Sequence, residues 1–142
     1  MAMNFRYLDS LNPSGSSHKR PCILTVFRNG SERLEQYALV DSGADMSAID
    51  CKLAKKLGLD LGGKRIQSYT ASGIIESVIS HVDVDVGKGH EHYSFNIPIR
   101  VLMTADDYVS PTLLGRMGFF DKFKITFDES NQKLSMKTNG QD

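Results

Sequence analysis

The residues best suited to chemistry stand together in Ala38-Leu-Val-Asp-Ser-Gly-Ala-Asp45. Asp41 follows a strongly apolar run directly. A carboxylate held at a strand end can take a proton from water or return one to a leaving group. Ser42 adds a hydroxyl that can hold a neighbouring carboxylate or backbone group. Gly43 lets the backbone turn sharply and approach closely. The same three residues also make an ordinary turn, since Asp and Ser satisfy backbone donors there. Two further features lift the segment above a turn. Leu113-Leu-Gly-Arg116 repeats an apolar pair followed by glycine, and a hairpin with Gly73 near its tip lies between the two segments.

Other groupings fit their chemistry less well. His81, Asp83, Asp85, His90, Glu91 and His92 crowd together and could supply metal ligands, but their spacing matches no metal-site signature. They read instead as the solvated face of a sheet and a polar turn, and no metal is expected. Ser42 and Ser47 lack the Gly-x-Ser-x-Gly elbow of a serine hydrolase. Gly87-Lys-Gly89 lacks the spacing of a phosphate loop and reads as a hairpin turn. Phe119, Phe120 and Phe123 read as core packing.

The elements that must position Asp41 are mostly strands. Residues 1–20 read as a flexible tail, with a breaker cluster over 12–17. Cys22–Phe27 and Leu34–Val40 flank an Asn-Gly turn and predict a β-hairpin. Apolar positions 49, 53, 54 and 57 predict a helix over 48–57, with Gly58 as its stop. Ile66–Thr70 and Ile74–Ile79 predict a second hairpin. Val82, Val84 and Val86, then Tyr93, Phe95, Ile97 and Ile99, alternate as half-exposed strands do. Met117–Phe123 predicts one or two helical turns. Ile125–Phe127 and Leu134–Met136 predict closing strands. A domain over 21–137 with a short tail over 138–142 follows.

These residues resemble the retropepsin-like aspartic protease family over roughly 21–137. The matching pieces are Leu39–Asp45, the hairpin around Ser72-Gly73-Ile74, and Leu113–Arg116, together with the helix ending at Gly58 and the run Leu114–Phe127. The resemblance implies an all-β, retropepsin-like acid protease fold: a closed or partly open barrel-like domain with one or two short helices. It implies that Asp41 is the catalytic aspartate, that the Ser42 hydroxyl ties two active-site loops together, and that the Gly43 amide steadies the dyad. Ala44 and Asp45 would line the substrate cleft, with Asp45 paired to Arg116. Ser72, Gly73 and Ile74 would form a flap over substrate. Leu114 and Gly115 would pack behind the active-site loop. Residues 117 onward depart from the viral pattern, as does the less glycine-rich flap.

Two carboxylates close together cannot both ionise, so they share a proton and act as acid and base. This chain has a single apolar-apolar-Asp-Ser-Gly loop. A second copy must supply the second Asp41, so the expected active species is a homodimer. The expected activity is aspartic endopeptidase, without a cofactor, on an extended peptide or protein bound like an added strand. Pockets of Val, Ile, Leu and Phe would favour apolar side chains. The alternative is a module of the same fold that binds peptides or dimerises without cutting.

Composition narrows the partners. The chain has 142 residues, of which 40% are hydrophobic and 24% charged, enough for one packed domain. Lys+Arg and Asp+Glu each number 17, so no basic surplus points to nucleic acid. No apolar run is long enough to span a bilayer, and the first twenty residues lack the apolar stretch of a secretory signal. Cys22 and Cys51 make no disulfide framework and read as buried or half-buried thiols in a reducing compartment. The expected location is cytoplasmic.

Overall fold

Apolar residues at alternate positions organise the chain into strands, and the alternation starts near its beginning. The computed structural model describes residues 2–11, 17–70, 73–104 and 110–139. β1 (Met3–Arg6) buries Met3 and Phe5, and Tyr7 is buried just beyond it. Its partner is the closing strand, with Met3 opposite Met136 and Phe5 opposite Leu134. Residues 3–7 thus carry core side chains where a flexible tail was expected over 1–20, and most of the breaker cluster over 12–17 lies outside the described residues. β2 (Leu8–Leu11) and β3 (Ser17–Arg20) pair with each other.

β4 (Cys22–Asn29) and β5 (Glu32–Val40) form the expected hairpin. Asn29 faces Glu32, so Gly30 and Ser31 make the turn, and Gly30 takes the positive φ of +59°. β6 (Ser47–Asp50) runs straight into α1 (Cys51–Lys56). The helix is thus shorter than the 48–57 expected. Residues 48–50 are drawn into the sheet, all three pairing with 100–102 and Ala48 also with Leu113. Asp50 caps the helix, its Oδ1 accepting from Leu53 N–H at 2.8 Å. Gly58 ends it with φ +66°. Asn29 Nδ2 donates to the carbonyls of Leu57 and Gly58 at 2.9 Å each, tying the first hairpin to the helix end.

β7 (Arg65–Thr70) and β8 (Gly73–Lys88) form the second hairpin, with the expected strands around 74–79 and 82–86 fused into one. β9 (Glu91–Leu102) returns along β8. β10 (Leu113–Leu114) is a short insert. A single 3-10 turn at Phe120–Lys122 stands where helical turns were expected. β11 (Phe123–Asp128) and β12 (Lys133–Thr138) close the chain.

One sheet has the order β4-β5-β10-β6-β9-β8-β7 and closes on itself through β4 and β8. A second sheet, β1-β12-β11, packs its apolar face onto the same core. Phe119 and Phe123 are buried at its centre, with Tyr93 and Phe95 against them at centroid distances of 5.5 to 6.0 Å. The all-β expectation holds. No helix among the described residues is long and apolar enough to cross a membrane.

Candidate active site

Asp41 sits where β5 leaves the sheet. The strand arrives buried, with Ala38 and Val40 at most 2% exposed, and the chain then turns outward at Ser42 and Gly43. β10 runs parallel to β5, with Leu39 beside Leu113 and Val40 beside Leu114. That pairing extends one step further, since Asp41 N–H donates to the Leu114 carbonyl at 3.0 Å. The Asp41 carboxylate is oriented by its own loop: Gly43 N–H donates to Oδ1 at 2.9 Å. Ala44 N–H returns to the Asp41 carbonyl at 3.2 Å.

The loop and the Leu113–Arg116 segment are interlocked. Arg116 N–H donates to Ala44 O, and Met117 N–H to Asp45 O, both at 2.8 Å. Gly115 N–H donates to Ser47 Oγ at 3.0 Å, and Ser47 is fully buried. A Cβ on Gly115 would stand 2.5 Å from the Met46 carbonyl carbon and 2.9 Å from Ala44 O. Only glycine lets the two backbones come this close. Leu114 lies fully buried behind the loop. Asp45 and Arg116 face each other at 3.8 Å with both side chains largely exposed, so their ion pair contributes little.

A cleft of about 470 Å³ opens over this loop. Asp41, Gly43, Ala44 and Asp45 line it, so the structure brings four of the sequence-selected residues together. Ser42 is exposed at the loop's tip. The β7–β8 hairpin overhangs the cleft, contributing Ser68, Tyr69 and Ile75. Gly73 and Ile74 are exposed near its tip and do not line the cleft, and Ser72 lies outside the described residues. Leu114, Gly115 and Arg116 act from behind or beside the loop rather than from the cleft wall.

Several residues here escaped the sequence reading. Ser47 is one: its hydroxyl accepts from Gly115 N–H and so ties the two interlocked segments together. Its apolar neighbours Ala48 and Ile49 gave no local sign of that bond. Ser68 is buried, and its hydroxyl meets that of Ser77 at 2.5 Å, fixing the hairpin's inner face. Arg100 and Ser110 put polar atoms among the apolar lining that the sequence led us to expect. Only strand register shows where they point. Among the described residues no three His, Cys, Asp or Glu side chains converge as a metal site requires. Asp85 is instead held by Arg28, and Asp83 by Asn96 Nδ2 at 3.0 Å.

The sequence model of the aspartyl protease family matches residues 25–117. No curated protein matches the chain. Among solved structures, the chain is similar to a retropepsin-like aspartic protease from Rickettsia conorii, at 23% identity and a TM-score of 0.57. That match covers 96% of this chain and 91% of the other. It is also similar to the EIAV protease complexed with the inhibitor HBY-793, at 21% identity and a TM-score of 0.44, over 70% of this chain and 84% of that one.

Proposed function

The chain belongs to the aspartyl protease family and has a retropepsin-like fold, and on that footing we propose that it is an aspartic endopeptidase working as a homodimer. The observation that carries this reading is the Asp41 loop: a carboxylate oriented by Gly43, open to a cleft, and locked from behind by Gly115. One such loop per chain supports a dyad made of Asp41 from each of two copies, related by a two-fold axis. The exposed Ser42 at the loop tip is free to meet its counterpart there.

In that dyad the two carboxyls stand about 3 Å apart and share one proton. The ionised member takes a proton from a water molecule, which attacks the scissile carbonyl. The protonated member polarises the carbonyl oxygen and then helps protonate the leaving nitrogen. The peptide lies extended beneath the β7–β8 hairpin, with its backbone bonded as an added strand would be.

Co-refolding wild-type chain with Asp41→Asn chain tests the shared dyad. Each mixed dimer holds one aspartate and is inactive. At equal proportions the activity per total chain falls to about one quarter, because both partners must be wild type. A fall to about one half would mean that each chain cuts alone, and would overturn the shared dyad.

A further inference from the structure

Two polar groups line the cleft without a part in the Asp41 chemistry. Arg100 lies on β9 and Ser110 precedes β10. Arg100 Nε and Ser110 Oγ are both buried, and neither has a hydrogen-bond partner among the described residues. Buried polar atoms are almost always bonded, so two unpaired ones on one cleft call for an occupant. Arg100 also differs from other arginines of the chain. Arg28 faces Asp85, Arg65 faces Glu76 and Arg116 faces Asp45. No described carboxylate pairs with Arg100.

Register explains where its side chain goes. Ile79, Arg100, Ala48, Leu113 and Leu39 are successive partners across β8, β9, β6, β10 and β5. Cross-strand partners point to one face of a sheet. Arg100, Ala48, Leu113 and Leu39 all line the cleft, so that face is its wall. Arg100 is the charged member of an otherwise apolar row. Three strand spacings, about 14 Å in all, separate it from Leu39, two residues short of Asp41. A peptide extended at about 3.3 Å per residue reaches that point a few residues from the bond being cut.

A guanidinium is a planar fork that stays charged and pairs with a carboxylate through parallel hydrogen bonds. We infer that Arg100 and Ser110 form a subsite for the side-chain carboxylate of a substrate Asp or Glu. This rests on the proposed peptidase reading of the cleft. Substrate choice is then set by a charge at one position as well as by apolar contacts near the scissile bond.

The test uses the full chain and pairs of fluorogenic peptides, amidated at the C-terminus and differing only by Glu or Gln at one position. The substitution is walked across the cut site, at a pH above the ordinary glutamate range. Wild type is expected to favour Glu at one position by about tenfold or more in kcat/KM. Arg100→Lys keeps a reduced preference, and Arg100→Glu reverses it toward Lys at the same position. Should Arg100→Glu fail to fold, Arg100→Gln is expected to bring the Glu-to-Gln ratio close to one. Equal cleavage of every pair by wild type, or a preference that survives loss of the charge, overturns the subsite. If wild type cuts none of the peptides, the peptidase reading fails separately. Binding of the same peptides, followed by fluorescence anisotropy, then decides: Glu favoured over Gln by wild type but not by Arg100→Gln upholds the subsite, and absence of that discrimination, or of binding, overturns it.

Discussion

Asp41 is oriented by neighbours within its own loop, whereas the loop is held by residues far along the chain. Gly43 supplies the first kind of contact; Ser47 and Gly115 supply the second. Gly115 is the least replaceable of them, because a methyl group there meets the Met46 and Ala44 backbone rather than a yielding side chain. Gly115→Ala is expected to cost about 3 kcal/mol of stability, as overpacking in a tight interior does. Urea denaturation measures it, and an unchanged midpoint would show that the two segments separate easily. At this level much was legible in the sequence. Asp41, Gly43, Ala44 and Asp45 form one local run, and residue chemistry alone marks it. Ser47 and Arg100 were not legible, because a serine in a strand and an arginine in an alternating run acquire meaning only from their cross-strand neighbours.

The elements meet through pairings that local patterns announce only in part. Both hairpins were readable, since turn residues and alternation lie within one stretch of chain. The start of α1 was not: residues 48–50 fit a helical pattern, yet β9 and β10 claim them for the sheet. β1 was missed for the same reason, its partner β12 lying at the far end of the sequence. The closure of β4 on β8 was equally hidden. There Arg28 grips Asp85 with two bonds, at 2.7 and 2.9 Å, and Ser94 Oγ adds a third at 2.6 Å. These bonds, Arg28's first, hold the Asp85 carboxyl below the usual carboxylate range. A carboxyl lowered in the folded state stabilises the fold above its unfolded pKa of about 3.9 and loses that contribution as pH falls through the lowered value. Arg28→Ala is therefore expected to lower Tm at pH 7, with the gap to wild type narrowing toward about pH 3. Thermal melts at both values check this, and a constant gap would assign the loss to packing instead of charge.

For the molecule as a whole, the sequence carried the fold class because alternation dominates it, and the retropepsin-like fold stands in the structure. The sheet ring and the small β1-β12-β11 sheet share one core, on which the Asp41 loop is mounted. Because β12 is already paired on both edges within its own chain, by β1 and β11, its backbone has no free edge to offer a second copy. The proposed dimer must therefore join through other surfaces, the exposed Ser42–Gly43 turn among them. The association itself was read from the single aspartate loop, an argument from chemistry that a lone chain does not display. Cleavage of a peptide library by wild type beside Asp41→Asn, from pH 3 to pH 7, decides whether that chemistry operates. Wild type is expected to cleave with an acidic or mildly acidic optimum, and Asp41→Asn to lose about 10³-fold or more while staying folded. Full activity in Asp41→Asn would contradict the dyad chemistry. A folded, dimeric wild type that cuts nothing would contradict it too, and would favour a module that binds peptides without cutting them.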